Sequence, residues 1–175
     1  AAVGLPLIPP ELREDRGEID AAEAGALPRL VERSDLKGDL HAHTRASDGK
    51  STLEEMAQAA SELGYHYLAI SDHSKHATVA HGLDARRLAA QLDEIEALNE
   101  GFPGLRILKS CEVDILKSGK LDLPDQVLAR LDVVTAGVHS DFALPAADQT
   151  ARLLRAMDNR HVHILAHPTG RLIGE

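Results

Sequence analysis

Two histidines one residue apart, His41 and His43 in Asp39-Leu40-His41-Ala42-His43-Thr44, open the set of side chains able to hold a metal ion. Leu36 to His41 reads as a short strand, and residues two apart on a strand share a face. Both imidazoles therefore point the same way, and each offers a nitrogen lone pair to a divalent ion. A carboxylate follows at Asp48, and His73, Glu112, His139 and His167 come later, each at or near the C-terminal end of a predicted strand. In parallel α/β folds that is the face where ligands bind. Nitrogen and oxygen donors without thiolate suit Mn²⁺, Zn²⁺ or Fe²⁺, and a carboxylate among them allows several ions to sit close together. Clusters of that kind activate water and clamp phosphate oxygens. Phosphoester hydrolysis is the chemistry they predict.

Other residues fit this pattern less well. His66, His76, His81, His161 and His163 do not close strands and read as surface or hydrogen-bonded histidines. Acyl transfer by a Ser/His/Asp set is the weaker alternative: there is no Gly-x-Ser-x-Gly elbow, and Ser71 and Ser140 merely neighbour candidate ligands. Lys75, Arg45 and Arg171 are available to phosphate but read as ordinary surface cations.

The elements that must carry these residues alternate between short apolar strands and amphipathic helices from Leu36 onward. Ser51 with Glu54 predicts a helix start, and Leu53, Met56, Ala57, Ala60 and Leu63 recur at helical spacing up to Gly64. Tyr67 to Ser71 predicts a strand running into Asp72-His73. Asp84 caps a second helix, with Leu88, Leu92, Ile95 and Leu98 as its buried stripe. Arg106 to Ile115 predicts a third strand through Cys111 and Glu112, followed by a turn at Lys117-Ser118-Gly119-Lys120. Pro124 to Arg130 predicts a short helix and Asp132 to Val138 a strand ending at His139. Pro145 to Met157 predicts a helix with Leu153, Leu154 and Met157 on its apolar side, and Val162 to Ala166 a strand leading into His167-Pro168. Alternating units of this kind form an open doubly wound sheet or a barrel.

Residues 1–33 are of another kind. Pro6, Pro9, Pro10 and Pro28 punctuate an acidic stretch with no sustained hydrophobic period, which predicts an arm ahead of a single domain at 34–175. The chain opens on Ala1, which suggests a piece of a longer protein. With 19 Lys and Arg against 28 Asp and Glu, the net charge is −9 and no basic stripe marks a duplex-binding surface. The single cysteine excludes an internal disulfide, and no apolar run is long enough for a membrane span or a signal core. A cytoplasmic location is the expectation.

Taken together, Asp39-Leu40-His41-Ala42-His43-Thr44, Ser71-Asp72-His73, Glu112, Val138-His139-Ser140 and Ala166-His167-Pro168 resemble the PHP (polymerase and histidinol phosphatase) superfamily over nearly everything from Leu36 onward. The resemblance implies a distorted seven-stranded α/β barrel with up to three metal ions. Within it the chain is most similar to the PHP domains of bacterial family X DNA polymerases. The arm from Ile8 to Glu18 resembles the segment that closes the polymerase thumb, so 1–33 is expected to be the end of the thumb and a linker. Metal-dependent 3′ to 5′ exonuclease action on DNA ends in repair is what that resemblance implies, with DNA held mainly by other domains.

The family's ligand positions match His41, His43, Asp48, His73, Glu112, His139 and His167, Glu112 standing where the bridging carboxylate is and acting with His139 and His167 in catalysis. Mn²⁺ is the expected ion, with Zn²⁺ or Fe²⁺ as alternatives. Two further family ligands, in an Asp-Ala-His-like motif, have no match before Glu175. Five of seven strands, one complete metal position and little exonuclease activity from these 175 residues alone are therefore expected. Rival expectations are a phosphatase of small monoesters, histidinol phosphate among them, and a non-catalytic module braced by metal.

Overall fold

The computed structural model describes Gly4 and residues 6–169, and the chain divides into two compact units, Ala1–Leu36 and Lys37–Glu175. In the first unit, two 3₁₀ turns, Pro10–Leu12 and Arg33–Asp35, flank a short helix, α1 (Glu18–Glu23). The sequence gives little warning of α1, because its start is set by the left-handed Gly17 and by Glu18, whose carboxylate accepts from the amides of Asp15 and Arg16. Only Ala22 of the helix is buried.

The second unit is an α/β fold. Its strands are β1 (Gly38–Ala42), β2 (Tyr67–Ile70), β3 (Arg106–Asp114), β4 (Val133–Gly137) and β5 (Ile164–Leu165). All are parallel and lie in the order β1-β2-β3-β4-β5. A doubly wound sheet reverses its strand order at a switch point, whereas a barrel wall adds each strand beside the last. The strictly sequential order is that of a curled barrel wall, and five strands of it lie among the described residues.

The helices follow the sequence pattern with corrections. Helix α2 (Leu53–Glu62) is capped by Thr52, not Ser51: the Thr52 hydroxyl accepts from the Glu55 amide and the Glu55 carboxylate accepts from the Thr52 amide. The same box chemistry is satisfied one residue later. Leu53, Ala57 and Ala60 are buried with Leu68, Ile70, Ile95 and Ile107, while Leu63 ends the helix largely exposed. Helix α3 (Ala85–Asn99) is capped by Asp84, and its Leu88 and Leu92 pack on Cys111, Val113 and Val134. A four-residue helix, α4 (Asp125–Leu128), precedes β4.

Of the expected apolar face of α5 (Ala146–Met157), Leu153 alone packs against the core. Leu154 and Met157 are exposed, whereas Arg152 and Ala156 are buried. The Arg152 guanidinium sits among backbone acceptors beyond the ends of two strands, donating to the carbonyls of Ile115, Leu116 (3.0 Å) and Ser140 (2.8 Å). A cation that satisfies so many carbonyls is tolerated at 1% exposure.

Candidate metal centre

Strand β3 sets the floor of the site. With side chains alternating across a strand, Cys111 and Val113 face the α3 side and join the core, leaving Glu112 and Asp114 on the other face. His73 follows β2 and bridges in parallel to Glu112, whose carbonyl accepts from the Ser74 amide at 2.9 Å. On β4, Gly137 lies opposite Asp114, and His139 follows it into the loop. His41 is on β1, His43 just beyond it, and His167 just beyond β5.

The structure brings all seven predicted residues together around the Glu112 carboxylate, which is 3% exposed. Its two oxygens serve different partners. Oε1 faces His167 Nε2 at 2.9 Å and His139 Nε2 at 3.2 Å. Oε2 faces His41 Nε2 at 3.1 Å and, at 3.4 Å, both His43 Nε2 and His73 Nδ1. Asp48 lies at the far edge, 2.9 Å from His43 Nδ1 and 3.5 Å from His73 Nε2. His66, His76, His81, His161 and His163 stay outside this cluster; His163 Nδ1 instead accepts from the Val134 amide at 3.1 Å. Arg45 lines a separate cleft beside Thr44, and Arg171 lies outside the described residues.

The electrostatics follow from crowding imidazoles on one buried carboxylate. Burial opposes its ionisation, but hydrogen bonds from His139, His41, His43 and His167 overcome that and hold the Glu112 carboxyl far below its ordinary range. His139 is pushed up to about 9, first by its hydrogen bond to Asp114 and then by Glu112. The Glu112 hydrogen bond raises His43, whereas burial lowers His73 and keeps that ring neutral.

The donor set fits a divalent metal. His73 Nδ1 is buried without a hydrogen-bond partner although it faces Glu112, so a lone pair is held in place and unused. Three groups of three donors have atoms within 4.8 Å of one another: His41, His43 and Glu112; His43, Asp48 and His73; His73, Glu112 and His139. A neutral imidazole has one lone pair, so the middle group competes with each of the others for a histidine. The first and third share only Glu112, whose Oε2 faces His41, His43 and His73 and whose Oε1 faces His139.

Two supporting carboxylates escape a search for strand-end histidines. Asp114 accepts from His139 Nδ1 at 2.5 Å, fixing the tautomer that turns Nε2 toward Glu112. Its signal is the Glu112-x-Asp114 spacing on one strand. Asp72, beside His73, is fully buried and accepts from the Thr44 amide (2.8 Å), the Thr44 hydroxyl (2.6 Å), Ser47 (2.5 Å) and Gln91 (2.6 Å). It is not a ligand; it pins the loop that presents His43 and Asp48. Gly49 closes that loop where a Cβ would come within 2.5 Å of the His43 carbonyl.

Gly137 leaves the room the cluster needs. A Cβ there would lie 2.8 Å from His139 Cε1 and 3.0 Å from Glu112 Oε1. Gly137→Ala is expected to weaken metal binding about 10- to 100-fold, the range seen when support of a ligand is disturbed, as measured by calorimetric titration with Mn²⁺; unchanged affinity would show that the ring and carboxylate are free to move aside.

Comparison with known proteins agrees with this geometry. The profile of the PHP domain family matches residues 39–170. The chain belongs to the PHP family. This PHP chain is 50% identical over 174 residues, 99% of its length, to "DNA polymerase/3′-5′ exonuclease PolX" of Bacillus subtilis, of which it spans 30%. It is 35% identical over 134 residues, 74% of its length, to a "Probable phosphatase" of Acetivibrio thermocellus, spanning 53% of that protein, and 30% identical over 134 residues, again 74% of its length, to another of Syntrophotalea carbinolica, also spanning 53%. It therefore covers about half or less of these relatives. PHP domains bind divalent metals, and the seven-residue cluster lies within the matched range. Among the described residues, no helix is long and apolar enough to cross a membrane.

Protons compete with metal here, with a definite sign. In metal-free protein, the raised His43 and His139 contribute stability that is complete below about pH 6.5 and is lost as pH rises through their folded values, about 9 for His139. The lowered Glu112 and Asp48 contribute stability present above their ordinary range and lost as pH falls. The melting temperature of chelator-treated protein is thus expected to fall between pH 6.5 and 9.5 while Mn²⁺ affinity rises over the same interval. A melting temperature that rises there would contradict the charge arrangement.

Proposed function

We propose that the chain is the PHP domain of a bacterial family X DNA polymerase, removing nucleotides from DNA 3′ ends in repair. The metal-dependent phosphoesterase class rests on the family and the relatives' names; the nuclease specificity is the finer step. The observation that carries the metal-dependent class is the divided Glu112 carboxylate, with His139 and His167 on one oxygen and His41 and His43 on the other, and the nuclease step rests on the match to the Bacillus subtilis polymerase. That arrangement supports a carboxylate bridging two metal positions, with Asp48 at the edge of the cluster beside His43 and His73. Counting ligands along the sequence suggests one complete position, but the two groups that share only Glu112 support two. Mn²⁺ is the proposed ion, and Zn²⁺ or Fe²⁺ would meet the same donors.

Bound ions supply water activation and charge neutralisation of the phosphate oxygens. The protein's part is positional. Glu112 would hold ions on both of its oxygens, Asp114 keeps His139 turned inward, Asp72 holds the Asp48 loop, and His73 would offer its unpartnered Nδ1.

Residues 1–33 are proposed as the end of the thumb and a linker, and residues 34–175 as part of a seven-stranded barrel. The match to the Bacillus subtilis polymerase spans 99% of the chain, whereas the phosphatases match 74% of it, which supports an arm of polymerase type. DNA would be held mainly by domains outside this chain, in a bacterial cytoplasm; the acidic composition is compatible with that division. The phosphatase names support small monoesters as a second reading. Assays of the intact protein with Mn²⁺ on a 5′-labelled primer-template and on a small phosphomonoester separate the two: stepwise loss of 3′ nucleotides is expected, and turnover of the monoester alone would overturn the nuclease reading.

A further inference from the structure

Aromatic side chains are scarce in this chain, with two Phe, two Tyr and no Trp. Tyr65 and Phe102 pack against the core and Tyr67 is partly buried on β2, but Phe142 is 68% exposed. It stands three residues after His139, so it lies within about 11 Å of that ligand position along even a fully extended chain. The base of a nucleotide lies within that distance of its own phosphate.

The loop that carries Phe142 is braced from α5. Asp141 adopts a left-handed backbone (φ 54°) and its carbonyl accepts from the Leu144 amide at 3.3 Å and from Gln149 Nε2 at 2.8 Å. The carbonyl of Ser140 accepts from the buried Arg152 at 2.8 Å. An exposed ring on a loop held at the two residues before it is placed, and its exposure leaves apolar area in water with no core to cover it.

The geometry points to Phe142 as a specificity-determining residue that stacks on the nucleobase at the scissile 3′ end. The inference rests on the nuclease reading and adds to it the feature that selects a base-bearing end. Every base has a π face, so such a platform recognises a nucleotide without choosing among bases. The metal centre holds the phosphate; the ring holds the base next to it.

The test is a two-way cycle on the intact polymerase that carries this chain, comparing Phe142 with Phe142→Ala and a 3′-terminal base with an abasic 3′ end. The oligonucleotides carry a terminal phosphorothioate to slow cleavage. Stacking of this kind changes affinity about tenfold, so each change alone is expected to raise the Kd about tenfold and the two together to raise it no further. Phe142→Trp should restore the preference, and 2-aminopurine at the 3′ terminus should be quenched by the unaltered protein but not by Phe142→Ala. Equal Kd values for the protein and Phe142→Ala on the base-bearing end, or additive effects, would overturn the inference. Mn²⁺-dependent release of the terminal nucleotide from the unmodified strand is measured beside it. Release with no dependence on Phe142 overturns the stacking alone; absence of both binding and release overturns the nuclease reading with it.

Discussion

Glu112→Gln is expected to lose at least one of two bound metal ions and to lower the phosphoesterase rate by about a thousandfold or more, about 4 kcal/mol of barrier. Glutamine keeps the shape and one oxygen, so the fold has no steric reason to change. It replaces the other oxygen with an amide NH₂, which cannot bind a metal. Whichever way the amide turns, either His41 and His43 or His139 and His167 face a nitrogen in place of a carboxylate oxygen. Metal analysis after dialysis, with the rate under Mn²⁺ and circular dichroism as a check on folding, measures this. A variant that keeps both ions and a near-native rate would remove Glu112 from the centre.

Asp72→Ala should produce the largest loss of stability among single substitutions near the site, about 3–5 kcal/mol. The carboxylate is fully buried and accepts four hydrogen bonds, from the Thr44 amide and hydroxyl, Ser47 and Gln91. Alanine leaves the Thr44 amide, the Thr44 hydroxyl and Gln91 Nε2 buried without their acceptor, while Ser47 retains Asp48 at 3.3 Å. Because Thr44 and Ser47 bracket the loop that presents His43 and Asp48, metal affinity should fall together with stability. Urea denaturation of the chelated protein isolates the first effect; a loss under about 1 kcal/mol would mean that the loop finds other partners.

The histidines of the cluster were legible in sequence because each lies at or near a strand end, and strand ends are marked by a change from apolar runs to polar loops. The convergence of His41, His43, His73, Glu112, His139 and His167 followed from that placement alone. Asp114 was not legible as a supporting residue, since a carboxylate two positions from Glu112 says nothing of which histidine it meets until β3 and β4 are in register. The buried face of α5 was misread for a related reason. Helical periodicity sends an arginine to solvent, and only the carbonyls of Ile115, Leu116 and Ser140, gathered from two strand ends, give Arg152 a reason to turn inward. The cap of α2 differed by one residue because Ser51-Thr52 and Glu54-Glu55 offer the same chemistry in two registers.

The central claim, that one carboxylate joins two metal positions, is open to a direct spectroscopic measurement. Electron paramagnetic resonance of the chelated protein titrated with Mn²⁺ should show the spectrum of a spin-coupled pair growing in as about two ions are taken up, and Glu112→Gln should abolish it. A signal from isolated Mn²⁺ only, saturating at a single ion and unchanged in Glu112→Gln, would contradict the bridge and the phosphoesterase centre built on it.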